Sequence, residues 1–314
     1  MSHVMSVRVP AMAWCEDASD NRIRFSESRR VIGPSVRWPE PRVLHDRRSS
    51  DTPSIAGVGQ DAVMAWRGSG DDKRVWFSLQ DQPVPNPQPG HSRYTWGGQA
   101  PARHFETPTF PTVARYGSRT FLFFKGTAQF QNRLRWSELR DRQWVHPLTG
   151  STEPAAAEFD FVPGDGVGVA AHRPDGRLYM AFRGPDDQSR IRWRSYDGGG
   201  WTNYEYTELR TSHVPALASD GVDLFMAWRN AHDDHISWAR FTGTSWGAPQ
   251  TLGDRRTDNA PALGVADTGK LVMVWVGTGG DPALWWSEYS GGQWGPQQAF
   301  SDRSMKPRLR VSLA

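Results

Sequence analysis

Arg67, Arg183 and Arg229 each stand directly after an apolar run that ends in an aromatic ring, VMAW, YMAF or FMAW, and Lys125 follows FLFF in the same way. Acids recur a few residues on: Asp20, Asp72, Asp233 and Asp281 each precede an aliphatic residue by three positions, and Gln131 and Gln188 hold that place in two further copies. Guanidinium forks and carboxylates repeated around one opening could recognise a polar ligand through charge-assisted hydrogen bonds. The same acids, and nearby hydroxyls, are also the groups that cap loop backbone through Asx-type turns, so both uses stay open. The candidate ligand-binding set is Arg67, Asp72, Arg183, Arg229 and Asp233, joined by His213 from a polar segment and by Trp228 as an aromatic surface.

Other strings carry less. HDDH (His232 to His235) offers His and Asp ligands in one loop, but the other copies of that loop lack the two histidines, and no metal is expected. GTSWG (Gly243 to Gly247) fits a nucleophile-elbow pattern yet falls on a recurring turn rather than a strand-to-helix bend. GVGVAA (Gly166 to Ala171) mimics a dinucleotide fingerprint with no helix behind it to hold a pyrophosphate, so no cofactor is expected. Cys15 takes the slot that Arg67 fills elsewhere and reads as an inert small residue. Asp71/Asp72 and Asp186/Asp187 are adjacent in sequence, whereas acid–base work on a glycoside needs two carboxyl groups facing each other across a bond. No catalytic set is assigned.

All these residues are positioned by an internal repeat. The aromatic-ended run recurs at Trp14, Trp66, Phe124, Phe182, Trp228 and Trp275, in steps of 46 to 58 residues. Ten to twelve residues later comes a second aromatic in an alternating run, at Phe25, Phe77, Trp136, Trp193, Trp238 and Trp286. In four units a third Trp follows, at Trp144, Trp201, Trp246 and Trp294, and in four a proline opens a small-residue run, at Pro53, Pro111, Pro215 and Pro261. Four short runs separated by Gly, Asp, Asn and Ser turns predict a four-stranded antiparallel sheet. Six such sheets predict an all-β fold, a six-bladed β-propeller with almost no helix.

The chain ends on KPRLRVSLA (Lys306 to Ala314), which opens like a first strand, and begins on an orphan second strand, AMAW. Joining Trp275 to Trp14 through the two termini takes 53 residues, inside the range of the other steps. The last blade is therefore expected to be a composite of N- and C-terminal strands, which closes the ring and removes an open edge. One domain over residues 1–314 is expected.

Propeller geometry sorts the loops. Connections from the fourth strand to the next blade, and from second to third strand, share one face; this collects the candidate set with HDRRSSDT, LRTSH, GDRRTDN and SDRS. Two segments break the repeat: STEPAAAEFDFVPGDG (Ser151 to Gly166), expected on that face as a long inter-blade insertion, and DQPVPNPQPGHSRYTW (Asp81 to Trp96), expected on the opposite one.

Composition bounds the function. A net charge of +3 with acids interspersed among the arginines argues against a nucleic-acid binder. No apolar run approaches a membrane span, and the first residues lack a basic segment followed by an apolar core, so a cytoplasmic protein or leaderless export is expected.

The blades resemble those of bacterial and fungal β-propeller lectins, including the six-bladed fucose-binding type, along the whole chain. LYMAFRGPDDQSRIRWRSYDGGGW (Leu178 to Trp201) is similar to that family's order of strand, loop, strand and DG-G-W turn. For fucose, the resemblance implies an Arg on the second strand and a Glu eleven residues later; the matching positions here hold Trp66 and Phe77, or Phe182 and Trp193. SYDGGGW also resembles a sialidase Asp-box turn one residue short, and VRVP (Val7 to Pro10) the first sialidase arginine motif. The expectation is a non-enzymatic propeller binding carbohydrate or another small polar ligand, with exposed aromatics between blades. The alternatives are an enzyme of specialised metabolism, a cyclase or hydrolase with one active site in the central funnel, and a protein-interaction scaffold.

Overall fold

A computed structural model describes residues 11–15, 20–27, 38, 40–57, 62–85, 94–184, 189–266, 269–305 and 312–313. Blade one contains β1 (Ala11–Cys15), β2 (Arg22–Glu27) and β3 (Arg42–Arg48). Blade two contains β4 (Ser54–Ala56), β5 (Val63–Arg67) and β6 (Arg74–Leu79), then a small hairpin of β7 (Gln82–Pro83) and β8 (Tyr94–Thr95), then β9 (Ala100–Glu106). Blade three contains β10 (Thr112–Tyr116), β11 (Arg119–Lys125), β12 (Leu134–Arg140), β13 (Gln143–Val145) and β14 (Ala157–Glu158). Blade four runs through β15 (Gly168–His172), β16 (Arg177–Arg183), β17 (Arg190–Tyr196) and β18 (Glu205–Arg210), and blade five through β19 (Ala216–Ser219), β20 (Leu224–Arg229), β21 (His235–Arg240) and β22 (Gln250–Arg256). Blade six contains β23 (Ala262–Val265), β24 (Leu271–Val276), β25 (Ala283–Ser290), β26 (Gln293–Trp294) and β27 (Gln298–Ser304).

The ring closes as the termini predict. β28 (Ser312–Leu313) pairs antiparallel with β1, Met12 opposite Leu313 and Ala13 opposite Ser312, and so supplies the inner strand of blade one. The inner strands β4, β10, β15, β19, β23 and β28 neighbour one another in cyclic order around the axis. Lys306, Pro307, Arg308 and Arg310 lie outside the described residues.

The second strands read as continuous apolar runs because both of their faces are covered by neighbouring blades. In β1, Met12 and Trp14 join the cluster shared with blade six, while Ala11, Ala13 and Cys15 join the cluster shared with blade two. The same division gives an apolar cluster for each of the six seams.

The third Trp of the repeat is the wedge in these seams, and it occurs in all six blades rather than four. Trp144 meets Phe77 of the preceding blade edge-on at 5.5 Å, Trp201 meets Trp136 at 5.8 Å, and Trp294 meets Trp238 at 6.2 Å. Trp96 does the same to Phe25 at 5.3 Å, and Trp38 to Phe300 at 5.9 Å. Longer third-to-fourth-strand connections in blades one and two shift these two rings out of the regular spacing. Residues 86–93 of the Pro-rich segment lie outside the described residues.

Blade three corrects the expectation for Ser151 to Gly166. Much of that segment completes the blade's outer edge: Ala157 and Glu158 pair with Trp136 and Arg135, and Phe159 and Phe161 continue the ladder through hydrogen bonds with Leu134. Phe159 and Phe161 are buried in the seam with blade four. Only residues 162–166 cross to the next blade over the upper face. The single helical turn among the described strands is a 3-10 turn at Ala128–Phe130, and among the described residues no helix is long and apolar enough to cross a membrane.

Candidate functional site

On the face that collects the candidate set, the crossings into blades two and five are each locked to the end of the second strand of the blade they enter. A buried hydroxyl four residues before the blade-opening proline does this. Ser49 Oγ lies 2.8 Å from the Asp51 carbonyl and 2.7 Å from that of Arg67; Thr211 Oγ1 lies 2.8 Å from the His213 carbonyl and 2.9 Å from that of Arg229. Thr257 makes the local half of this arrangement, donating to the Asn259 carbonyl at 3.0 Å.

The recurring acids cap the tight loops between second and third strands. Asp72 accepts the Arg74 backbone N–H, two Arg74 guanidinium N–H groups and the Trp76 indole N–H, at 2.8 to 3.0 Å. The bond to the Arg74 guanidinium is the main reason its carboxyl is held down at about 2. Asp20 does the same for Arg22, and Asp281 accepts the Ala283 N–H and the Trp285 indole. Asp233 accepts from the His235 N–H and the Asn230 amide; burial pushes its carboxyl up, and these donors more than offset that. Gln188 and the pair Asp186/Asp187 lie outside the described residues.

The other members of the set divide. Arg67 donates to the carbonyls of Gly68 and Gly70 within its own loop. Arg229 bridges two crossings, donating to the Ser212 hydroxyl at 2.7 Å and to the Thr257 carbonyl at 2.8 Å. Arg183 reaches Asp165 at 3.4 Å, and His213 packs beside them, its imidazole pKa lowered by burial and by the Arg229 charge. Trp228 is buried in the seam between blades four and five and presents no aromatic surface to solvent. His232 and His235 form no metal cluster, and among the described residues there is no group of three or more His, Cys, Asp or Glu able to hold an ion.

An aromatic concavity lies elsewhere, on the outer rim between blades four and five. It encloses about 300 Å³ between Trp193, the outer strand from Tyr206 to Leu209, and the turn from Ser245 to Pro249. Trp193 and Trp246 stand perpendicular, 6.5 Å between ring centres. Tyr206 is 56% exposed, with the Arg192 guanidinium 4.9 Å from its ring centre. Glu208 has an 83% exposed carboxylate, 3.6 Å from Arg190.

Tyr206 sets blade four apart, with its ring on the face of β18 opposite Trp193, against Arg192 and Tyr204. In register it faces Arg192 on the third strand, and the same position in the other blades holds Val43, Pro101, Glu158, Thr251 and Ala299. The candidate set contains none of the lining residues. The available signal was YEYTE (Tyr204 to Glu208), an aromatic-rich outer strand unlike its counterparts.

No family model matches this sequence, and no curated protein matches it. Solved structures do match its fold. A fungal lectin, Aleuria aurantia lectin, described as a six-bladed β-propeller with a novel fucose recognition mode, superposes with a TM-score of 0.60 at 13% identity, over 96% of this chain and 97% of its own. AofleA from Arthrobotrys oligospora superposes with a TM-score of 0.58 at 9% identity, over 98% of this chain and 89% of its own. TolB from Acinetobacter baumannii gives 0.56 at 14% identity, over 98% of this chain and 66% of its own. The chain is thus similar in fold to propellers that include fucose-binding lectins.

Proposed function

We propose that the protein is a carbohydrate-binding propeller whose sugar site is the seam between blades four and five. The observation that carries the reading is the perpendicular meeting of Trp193 and Trp246 in one concavity. The C–H face of a pyranose is apolar and lies flat on an indole or phenol ring, while its hydroxyls need donors and acceptors at the rim. Glu208 and Ser245 line the same concavity and supply a carboxylate acceptor and a hydroxyl there.

The fold likeness to fucose-binding lectins supports the ligand class, and the concavity between blades four and five supports a site at that seam. Glycan-array screening followed by titration calorimetry tests the reading. A neutral sugar binding with a stoichiometry near one, and lost in Trp246→Ala and Trp193→Ala, is the expected result. Absence of any glycan ligand, or sugar binding unchanged in both variants, would overturn it.

A further inference from the structure

The position after the second-strand aromatic is cationic in four consecutive blades, two to five, as Arg67, Lys125, Arg183 and Arg229. Blades six and one fill it with Val276 and Cys15, both buried. The upper mouth of the ring is therefore edged by a crescent of cations over four blades and by neutral residues over the other two.

Three of those cations are held by neutral acceptors. Arg67 is held by the Gly68 and Gly70 carbonyls, Lys125 by the Gly164 carbonyl at 2.8 Å, and Arg229 by a hydroxyl and a carbonyl. Among the described residues the one carboxylate paired with the crescent is Asp165, 3.4 Å from Arg183 and 43% exposed. A carbonyl fixes a guanidinium or ammonium in place without cancelling its charge.

The crescent is tightest where the crossing from blade three to blade four folds over it. Gly164 accepts from Lys125 through its carbonyl and donates its N–H to the Arg183 carbonyl at 3.1 Å. A Cβ at Gly164 would lie 2.9 Å from Arg183 Nε and Nη2, so the absent side chain lets the guanidinium lie against the loop. His213 sits where the charges of Arg229, Asp165, Arg183 and Asp258 all reach it. Asp258 is already committed to the Thr278 hydroxyl and to the N–H groups of Gly279 and Gly280.

We propose that this mouth binds a small anionic group, a carboxylate or a phosphate, between Lys125, Arg183 and Arg229, with the Ser212 hydroxyl beside them. Three cations converge there against one loosely paired carboxylate, and an entering oxyanion would accept their remaining N–H groups in bidentate fashion. Burial, and then the neighbouring Arg183 charge, depress the Lys125 ammonium, with Asp165 opposing; a bound anion relieves that repulsion. The site is independent of the seam pocket and stands or falls without it.

Titration of the full chain at low ionic strength with inorganic phosphate, D-glucuronate and, as the neutral control, D-glucose tests the proposal. Phosphate or glucuronate is expected to bind with one-to-one stoichiometry and to weaken as salt rises, and the comparison of the two tells which oxyanion is preferred. Lys125→Met and Arg183→Met are each expected to weaken binding by about tenfold, the loss of one charge-assisted hydrogen bond. Arg183→Lys should restore part of it. Asp165→Asn, which removes the competing carboxylate, should tighten binding, an effect that a purely structural role for the loop does not produce. Tyr206→Ala should leave anion binding unchanged. No binding of either anion, wild-type affinity in both folded Lys125→Met and Arg183→Met, or weaker binding in Asp165→Asn would overturn the proposal.

Discussion

Arg303 Nη2 donates to the Ser26 hydroxyl at 3.1 Å, joining residues 277 positions apart across the seam between blade six and the composite blade one. The Arg303 guanidinium is almost fully buried, 4.7 Å from the Phe300 ring centre and 5.8 Å from that of Trp14. Arg47 makes the equivalent reach to Ser78 and the Gly97 carbonyl, and Arg255 to the Gly295 carbonyl. Phe105, stacked on Phe124 at 4.7 Å, and Leu209 take that role in the seams after blades two and four.

Removing such a clasp leaves a buried hydroxyl with fewer partners and loosens a seam. Arg303→Met keeps most of the apolar stem, so the expected loss is that of the charged hydrogen bonds, about 2 kcal/mol. Chemical denaturation with fluorescence readout of the tryptophans checks it; a stability equal to wild type would show that the clasp is energetically idle.

Closure makes a second prediction. Leu313 packs against the bare backbone of Gly264, where an added Cβ would stand 2.7 Å from Leu313 Cβ, and β28 completes the sheet of blade one. Deleting residues 306–314, or introducing Leu313→Asp, should lower the melting temperature of the whole propeller cooperatively. A melt that matched the full chain would contradict a ring closed by β28.

Gly168 is the tightest approach in the inner ring, since a Cβ there would stand 2.1 Å from the Pro215 carbonyl oxygen of the next blade. Backbone cannot yield as a flexible side chain can. Gly168→Ala should therefore cost about 3 kcal/mol, through displacement of β15 from β19. The same denaturation experiment decides it, with Gly253→Ala, where no atom lies within 4 Å, as the tolerated comparison.

The turn caps give stability an acid limb. Asp72, held at about 2 from an ordinary 3.8 chiefly by the Arg74 guanidinium, has a lower pKa folded than unfolded. Its contribution is present above pH ~4 and is lost as pH falls towards 2. Asp72→Asn should melt below wild type at pH 7, and the gap should shrink by pH 3. A constant gap across that range would mean the carboxylate charge contributes nothing.

Arg229 and Trp246 should respond oppositely. Arg229 ties the crossings at Ser212 and Thr257 together, so Arg229→Met is expected to lower stability by about 1–2 kcal/mol. Trp246 lies on a rim turn, and Trp246→Ala should change the melt less than Arg229→Met while weakening sugar binding by about tenfold, as loss of one aromatic platform does. Calorimetry and thermal melts on the same two variants separate the roles.

Much of this protein is legible in its sequence because a propeller repeats one local problem six times. The aromatic-ended second strand, the alternating third strand and the turn between them are short-range patterns, and their recurrence determines blade count, strand polarity and the joining of the two termini in one blade. The Asp of each short loop is legible too, as a residue type that either caps backbone or meets a ligand. The choice between those uses belongs to the tertiary structure: Asp72 meets Arg74 and Trp76, and Trp228, an aromatic that any surface could use, is sealed between two blades. Seam contacts join a fourth strand to the third strand of the next blade, at separations set by loops of unequal length. Trp38 and Trp96 were therefore out of step in the repeat yet in place in the ring, and Trp193 became a candidate sugar platform only when blade four was laid beside the turn that carries Trp246.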